Sequence, residues 1–177
     1  MKIIINGGIK MNRCIVYFSK DGNTEYVAKL LASEIEGELI KLAEKSPRDG
    51  VIGFIKSGFQ AVTKASSKLI GEPWNKIEDF DFIYVMTPIW AGNGTPAINA
   101  FLDKVDLKNK SIGIITLQSD ASHKGIEKTH EYLMNRVKSK GGIATECFAL
   151  TGSSPGKFAG EERLKNEFKR VIMSGSA

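Results

Sequence analysis

The stretch that decides the fold covers residues 14–24 and reads CIVYFSKDGNT. Its first five residues form an apolar run rich in β-branched and aromatic side chains, which is typical of a strand buried on both faces. From Thr24 to Glu36, apolar residues recur at helical spacing, and Gly37 follows where a helix would end. A buried strand that leads through a short polar loop into a helix predicts the first unit of an α/β fold.

The same alternation continues along the chain. Further strands are predicted at residues 38–42, 82–86, 111–117 and 145–150, and further helices at 96–104, 124–140 and 158–173. Five strands alternating with helices predict a doubly wound parallel sheet with helices on both faces. Such sheets bind ligands beyond the carboxyl ends of the strands, so the loops that follow residues 18, 86 and 117 are the expected sites of chemistry.

Length and composition restrict the class of protein. The 177 residues suit one domain, and we expect residues 1–10 to be an N-terminal extension of a single domain formed by residues 11–177. With 42% hydrophobic and 25% charged residues, the chain is neither disordered nor collagenous nor a coiled coil. Two cysteines, Cys14 and Cys147, suit a reducing compartment, and no apolar run approaches the roughly 18 residues that span a membrane. The sequence therefore predicts a cytoplasmic protein.

The segment between the second and third predicted strands is longer than a minimal crossover needs to be. Its apolar residues recur at helical spacing with lysines between them, and they are Ile52, Ile55, Phe59, Val62 and Leu69. A basic amphipathic helix of this kind can lie on a membrane surface. We favour an extra crossover helix packed on the sheet, because a parallel sheet needs both faces covered.

Residues 19–24, SKDGNT, form the first loop. The hydroxyls of Ser19 and Thr24, the conformational freedom of Gly22 and the free N–H groups of a helix start together suit an anion. The spacing excludes a Walker loop, which requires Gly-x-x-x-x-Gly-Lys-Ser/Thr. A capped turn without a ligand is the alternative.

Residues 87–96, TPIWAGNGTP, form the second loop. Trp90 lies there between Pro88 and two glycines, at the carboxyl end of a buried strand. A flat aromatic side chain in that place suits stacking on a planar ring, whereas a tryptophan packed in the core is the usual alternative. Gly92 and Gly94 would let the backbone approach a ligand closely.

Residues 117–125, LQSDASHKG, form the third loop and carry several short polar side chains. His123 is a candidate proton donor, and an exposed histidine with no catalytic role is the alternative.

Residues 152–157, GSSPGK, look like a phosphate loop but have three rather than four intervening residues. We interpret them as a turn into the last helix, with a minor ligand role left open.

Together, the three loops resemble those of the flavodoxin-like family. Residues 19–24 are similar to its phosphate loop, and residues 87–92 are similar to its second loop, with Trp90 in the position of the residue that covers the flavin. The helix at 96–102 is similar to the one that follows that loop. The resemblance implies a three-layer α/β fold with a five-stranded parallel sheet of order 2-1-3-4-5, bound flavin mononucleotide (FMN), and a helical insertion between strands 2 and 3.

The resemblance also implies which residues contact FMN, with its phosphate on the first loop and its ring between the second and third loops. These residues are Ser19, Lys20, Gly22, Asn23, Thr24, Thr87, Pro88, Ile89, Trp90, Ala91, Gly92, Asn93, Gln118, Ser119 and Asp120. No metal is implied. Asp21 departs from the family, which usually has a hydroxyl residue there, and a carboxylate beside a phosphate is unfavourable. Either Asp21 caps the helix and turns away, with Lys20 compensating, or phosphate binding is weakened.

The expected function is electron transport between redox partners. An NAD(P)H-dependent quinone-type oxidoreductase is the alternative, and a basic binding protein without redox chemistry is a third hypothesis.

The net charge is +5, and the excess of basic over acidic residues lies in residues 41–70 and 104–140. No helix-turn-helix, zinc site or aromatic-interleaved basic strand supports nucleic-acid binding. We expect the charge to steer an acidic partner protein, an anionic small acceptor or a membrane headgroup towards the flavin.

Overall fold

The computed structural model describes residues 11–46 and 63–173. All five predicted strands form, as β1 (Arg13–Tyr17), β2 (Glu38–Lys41), β3 (Phe82–Pro88), β4 (Ser111–Gln118) and β5 (Ile143–Thr151). The predicted helices around them form as α1 (Asn23–Ile35), α2 (Pro96–Lys104), α3 (Ile126–Ser139) and α4 (Glu161–Phe168). A short π-helix, Lys169–Met173, continues α4, and a 3₁₀ helix that no sequence pattern predicted covers Pro73–Ile77.

The five strands pair in parallel, in the order β2-β1-β3-β4-β5. This confirms the doubly wound sheet of order 2-1-3-4-5. Strand order reverses between β1 and β3, so the carboxyl ends of these strands open a crevice at the edge of the sheet. The first loop follows β1, the second follows β3 and the third follows β4. The topology therefore brings all three predicted loops to that crevice.

Helices cover both faces of the sheet, and each face has its own hydrophobic core. Cys14 and Val16 of β1 belong to the core with α2 and α3, whereas Ile15 and Tyr17 belong to the core with α1 and α4. Because successive residues of a strand alternate between faces, a strand buried on both sides is apolar throughout. Burial raises the pKa of the Cys14 thiol to about 12, and the half-buried Cys147 packs against the same core. Both cysteines are therefore packing residues.

Two helices begin later than their apolar spacing predicts. The helix predicted at 124–140 begins at Ile126, because His123 and Gly125 have left-handed backbone angles, with φ of +51° and +77°. The helix predicted at 158–173 begins at Glu161, after Gly160 with a φ of +89°. A residue in these conformations does not continue a right-handed helix, so spacing alone places both starts too early.

Most of the predicted insertion helix lies outside the described residues, and so does the predicted N-terminal extension, residues 1–10. The last part of the insertion is described, and it is not helical. Leu69 forms an antiparallel bridge with Glu44 and is buried in the core that contains α2. The backbone N–H of Ser67 donates to the Pro96 carbonyl at 3.1 Å. The extension of the helical spacing to Leu69 was therefore wrong, because Leu69 is buried by pairing with the chain after β2.

Candidate functional site

A cleft lies at the carboxyl ends of β1, β3 and β4. Its walls come from the first, second and third loops and from residues 152–160 between β5 and α4, which we call the fourth loop. The lining residues are Ser19, Lys20, Asp21, Asn23, Thr24, Pro88, Ile89, Trp90, Leu117, Gln118, Ser119, Gly152, Ser153 and Pro155. Segments that lie far apart in the chain, and that the motifs singled out separately, thus meet in one site.

The first loop ends in a helix start that has no side-chain cap. Gly22 has a φ of +83°, and α1 begins directly after it at Asn23. This arrangement argues against the capped-turn alternative and leaves the backbone donors of the first helical turn available to an anion. The hydroxyl oxygen of Ser19 is buried and has no hydrogen-bond partner among the described residues. A buried polar atom is costly without a partner, so Ser19 fits a site whose ligand accepts a hydrogen bond.

Asp21 and Asn23 direct their side chains to the fourth loop. The Oδ2 atom of Asp21 accepts a 2.9 Å hydrogen bond from the Gly156 N–H. Asn23 donates from Nδ2 to the Lys157 carbonyl at 2.8 Å, and its Oδ1 accepts from the Ala159 N–H at 2.8 Å. Asp21 therefore turns to a neighbouring loop rather than to its own helix. The same bonds join the first and fourth loops.

Two buried threonines close the base of the second loop. The Thr87 hydroxyl donates to the Pro88 carbonyl at 2.9 Å and accepts from the Thr95 N–H at 3.1 Å. The side chains of Thr87 and Thr95 lie 3.2 Å apart at their hydroxyl oxygens, and both residues are fully buried. These bonds hold the two ends of the second loop together at the point where the loop joins the core.

The tip of the second loop is a tight turn. Trp90 and Asn93 exchange two backbone hydrogen bonds, of 2.8 and 2.9 Å. Between them, Ala91 and Gly92 have φ values of +47° and +74°, as a type I′ turn requires. The hydroxyl of Thr129 on α3 donates to the Gly92 carbonyl and supports the turn from behind.

Trp90 packs on the core and also lines the cleft, so its position is compatible with the core alternative and with the predicted stacking on a planar ring. Its ring meets the Phe18 ring edge-on, with centroids 5.7 Å apart and an interplanar angle of 88°. The Lys20 ammonium lies 6.0 Å from the centroid of the Trp90 ring. A half-buried indole held in this way suits stacking on a planar ligand, with a positive charge close by.

The third loop contributes Gln118 and Ser119 to the cleft. Asp120 instead supports its own loop, since its carboxylate accepts bonds from the N–H and the hydroxyl of Ser122 at 2.9 and 2.8 Å. These bonds hold the pKa of Asp120 below its usual value.

His123 ties the third loop to β5. Its Nε2 lies 3.1 Å from the Thr151 hydroxyl oxygen, and His123 does not line the cleft. Another histidine, His130 of α3, is buried with its Nε2 2.8 Å from the Thr116 hydroxyl oxygen, and burial lowers its pKa. The geometry thus gives both histidines structural contacts and lends no support to His123 as a proton donor.

The predicted cofactor residues divide into two groups. Those that line the cleft are Ser19, Lys20, Asn23, Thr24, Pro88, Ile89, Trp90, Gln118 and Ser119. Those that shape the loops without lining the cleft are Gly22, Thr87, Ala91, Gly92, Asn93 and Asp120. For both groups, contact with a cofactor stays a prediction.

The fourth loop is the part of the cleft to which sequence reasoning gave too little weight. Gly152, Ser153 and Pro155 line the cleft, although the sequence of their segment predicts a turn with at most a minor ligand role. The spacing of the glycines had argued against a phosphate loop. The better signal was position, because β5 pairs in parallel with β4 and ends at the same edge of the sheet. In addition, α4 packs on the same face as α1, which brings the fourth loop to the first.

Neither a membrane-spanning helix nor a metal-binding group is found among residues 11–46 and 63–173. In these ranges, no helix is long and apolar enough to cross a membrane. The same part of the chain holds no group of three or more His, Cys, Asp or Glu residues that could bind a metal ion.

The comparison with protein families agrees with this architecture. The model for flavodoxin matches residues 12–154, which run from the start of β1 into the fourth loop. The chain belongs to the flavodoxin family. Among curated proteins, none matches this flavodoxin-family chain.

Three solved structures share the fold at low sequence identity. A flavoprotein in complex with FMN from Lactobacillus acidophilus NCFM is 19% identical, with a TM-score of 0.59, over 78% of this chain and 92% of that one. The Trp repressor binding protein from Bacillus subtilis is 14% identical, with a TM-score of 0.66, over 93% and 97%. An NAD(P)H:quinone oxidoreductase from Methanothermobacter marburgensis is 12% identical, with a TM-score of 0.59, over 94% of both chains. At such identities, the likeness establishes the fold of this flavodoxin-family chain.

Proposed function

We propose that this protein binds FMN in the cleft and carries electrons between redox partners. One observation carries the proposal, namely that three loops resembling FMN-binding loops converge on a single cleft. That cleft contains a helix start without a side-chain cap, a Ser19 hydroxyl that has no partner among the described residues, and the half-buried Trp90. The first two features suit a phosphate, and the third suits a planar ring. Bound FMN would supply the redox chemistry, which the protein tunes through contacts and charge.

The residues of the cleft fit this ligand. Ser19, Thr24 and the first N–H groups of α1 would hold the phosphate, while Trp90 would lie against the ring. Gln118 and Ser119 would offer hydrogen bonds to the polar groups of the ring. The Lactobacillus acidophilus flavoprotein shares this fold and was solved with FMN, which supports the choice of flavin.

A carrier accounts for the chain better than a reductase does. A reductase has to bind a nicotinamide nucleotide or a quinone beside the flavin, and the sequence carries no second nucleotide-binding motif. The similar fold of the Methanothermobacter marburgensis NAD(P)H:quinone oxidoreductase keeps the reductase as the alternative that an experiment has to exclude.

Reconstitution tests the binding part of the proposal. Protein incubated with excess FMN and then desalted should retain a flavin spectrum, and titration should quench flavin fluorescence. Trp90→Ala should weaken FMN binding about tenfold, because stacking of a base on an aromatic side chain contributes about 1–3 kcal/mol. The matched control is Trp74→Ala, which removes a half-buried tryptophan outside the cleft and should leave FMN affinity unchanged. A protein that stays colourless and quenches no fluorescence would refute the proposal.

Rapid kinetics test the carrier part. NADH or NADPH alone should reduce the bound flavin slowly, and fast reduction by either nucleotide would favour the reductase. Oxidation of the reduced protein by anionic ferricyanide should slow as salt is added, because the net charge of +5 attracts an anion. Oxidation by cationic hexaammineruthenium should respond in the opposite sense. Rates independent of ionic strength would contradict electrostatic steering of an acidic or anionic partner.

A further inference from the structure

The fourth loop is held against the first loop at three backbone positions. Asp21 binds the Gly156 N–H, and Asn23 binds both the Lys157 carbonyl and the Ala159 N–H. The polar side-chain atoms of Asp21 and Asn23 in the first loop therefore bond to the backbone of the fourth loop and hold it in place.

Aromatic packing reinforces this attachment. The Phe158 ring meets the Tyr26 ring of α1 edge-on, with centroids 6.1 Å apart. The same ring lies 3.4 Å from the position that a Cβ would occupy at Gly22. The fourth loop thus packs directly on the turn that opens α1.

The attached loop presents a hydroxyl residue to the cleft. Ser153 is partly buried and lines the same cleft as Ser19 and Thr24. The backbone of the loop is fixed just before it, because the Gly152 N–H donates to the Gln118 carbonyl at 2.8 Å. The neighbouring Ser154 is exposed and does not line the cleft.

We propose that Ser153 is a phosphate-binding residue, and that Asp21 and Asn23 position it. This inference rests on the proposed binding of FMN. In this arrangement, the Ser153 hydroxyl donates a hydrogen bond to the phosphate, which the Asp21 carboxylate cannot do. The Asp21 carboxylate directs its Oδ2 to the Gly156 N–H, so one of its two oxygens is bonded to the fourth loop. The phosphate end of the cleft is then built from two loops that lie more than a hundred residues apart in the sequence.

Comparison of FMN with riboflavin tests the role of Ser153, because riboflavin has the same ring and no phosphate. Affinities are measured by quenching of flavin fluorescence. Ser153→Ala should weaken FMN binding about tenfold, since a hydrogen bond to a charged group contributes about 1.5–3 kcal/mol. Riboflavin affinity should stay within about twofold of wild type. Ser154→Ala is the matched control and should change neither affinity.

Two substitutions at Asp21 test the positioning role. Asp21→Asn and Asp21→Ala both remove the negative charge, but only Asp21→Asn keeps an oxygen that can accept from the Gly156 N–H. The alanine variant should therefore bind FMN about fivefold more weakly than the asparagine variant, as expected for the loss of one neutral hydrogen bond. Riboflavin should not distinguish the two variants.

The outcomes separate this inference from the proposed function. Wild-type protein that binds no FMN would overturn both. Wild-type protein that binds FMN tightly while Ser153→Ala binds it equally well would overturn the phosphate role of Ser153 and leave the proposed function standing. Equal FMN affinities for Asp21→Ala and Asp21→Asn would overturn the positioning role. Circular dichroism and thermal melting of each variant show whether it is folded. Should Asp21→Ala fail to fold, Asn23→Ala tests the positioning role, because it removes the bonds to the Lys157 carbonyl and the Ala159 N–H and should weaken binding of FMN but not of riboflavin.

Discussion

Replacing Gly113 of β4 by alanine tests the packing that joins β3, β4 and β5 at the end of the sheet opposite the cleft. Gly113 pairs with Tyr84 on one side and with Glu146 on the other. The hydroxyl of Tyr84 donates to the Glu146 carboxylate, so the tyrosine side chain reaches across the glycine. A Cβ at Gly113 would lie 2.5 and 2.6 Å from two carbons of the Tyr84 ring. Ordinary contact between carbon atoms is about 3.5–4.0 Å, so the ring has to move.

The surroundings of the ring set the size of the effect. Tyr84 is only 2% exposed, and the Phe82 ring lies with its centroid 4.9 Å away. Overpacking of a core costs about 1–3 kcal/mol, and displacement of the hydroxyl from Glu146 costs about 1.5–3 kcal/mol more. The stiffer unfolded chain offsets about 0.4–1 kcal/mol of this loss. We therefore expect Gly113→Ala to lower the free energy of unfolding by about 2–5 kcal/mol.

Guanidinium denaturation followed by circular dichroism measures this loss. In a Tyr84→Val background the ring is absent, and Gly113→Ala should then raise the free energy of unfolding by about 0.4–1 kcal/mol, because only the effect of the stiffer unfolded chain remains. The folded Gly113→Ala protein should bind FMN like wild type, because the cleft lies at the other end of β4. An equal loss in both backgrounds would show that the ring contact is not the cause, and the reasoning would be refuted.

Substitutions at three further positions, Gly22, His130 and Thr129, test local parts of the structure. Gly22→Ala should lower stability by about 1–2 kcal/mol in thermal denaturation and weaken FMN binding, because the φ of +83° strains any other residue, and unchanged melting would contradict this. Burial lowers the pKa of His130 below its ordinary 6.5, so the unfolded state binds the proton first. Wild-type stability should therefore fall as pH drops below about 6.5, and His130→Gln should lose less over pH 7 to 5 in denaturant titrations. Thr129→Val should weaken FMN binding about threefold by releasing the Gly92 carbonyl, whereas Thr129→Ser should restore it.

The sheet was predictable because each strand carries its own signal. A strand covered on both faces has to be apolar at consecutive positions, and Ile83 to Met86 of β3 show this as clearly as β1 does. The order of the strands could not be predicted in the same way, because apolar periodicity does not indicate which strands are neighbours. Strand order came from the resemblance of the loops, and the structure confirms it.

Local conformations were less predictable where they depend on tertiary support. His123 adopts a φ of +51° although it is not a glycine, and its ring is bonded to Thr151 on another strand. A contact between residues 28 positions apart leaves no periodic signal in the sequence. Apolar spacing therefore could not locate the start of α3. The bounds of α2, which begins at a proline, were predicted correctly.

Asp21 shows why a departure from a motif has to be judged together with its tertiary partner. In the sequence it looked unfavourable, because it puts a carboxylate into a loop suited to an anion. In the structure its Oδ2 binds Gly156, so the same carboxylate fastens a second loop to the cleft. Lys20 is the one cation among the described lining residues, and its ammonium lies near Trp90. Neutral donors, namely helix N–H groups and serine or threonine hydroxyls, therefore dominate the lining from the first and fourth loops, and we expect binding of the proposed phosphate there to depend on directed hydrogen bonds more than on paired charge.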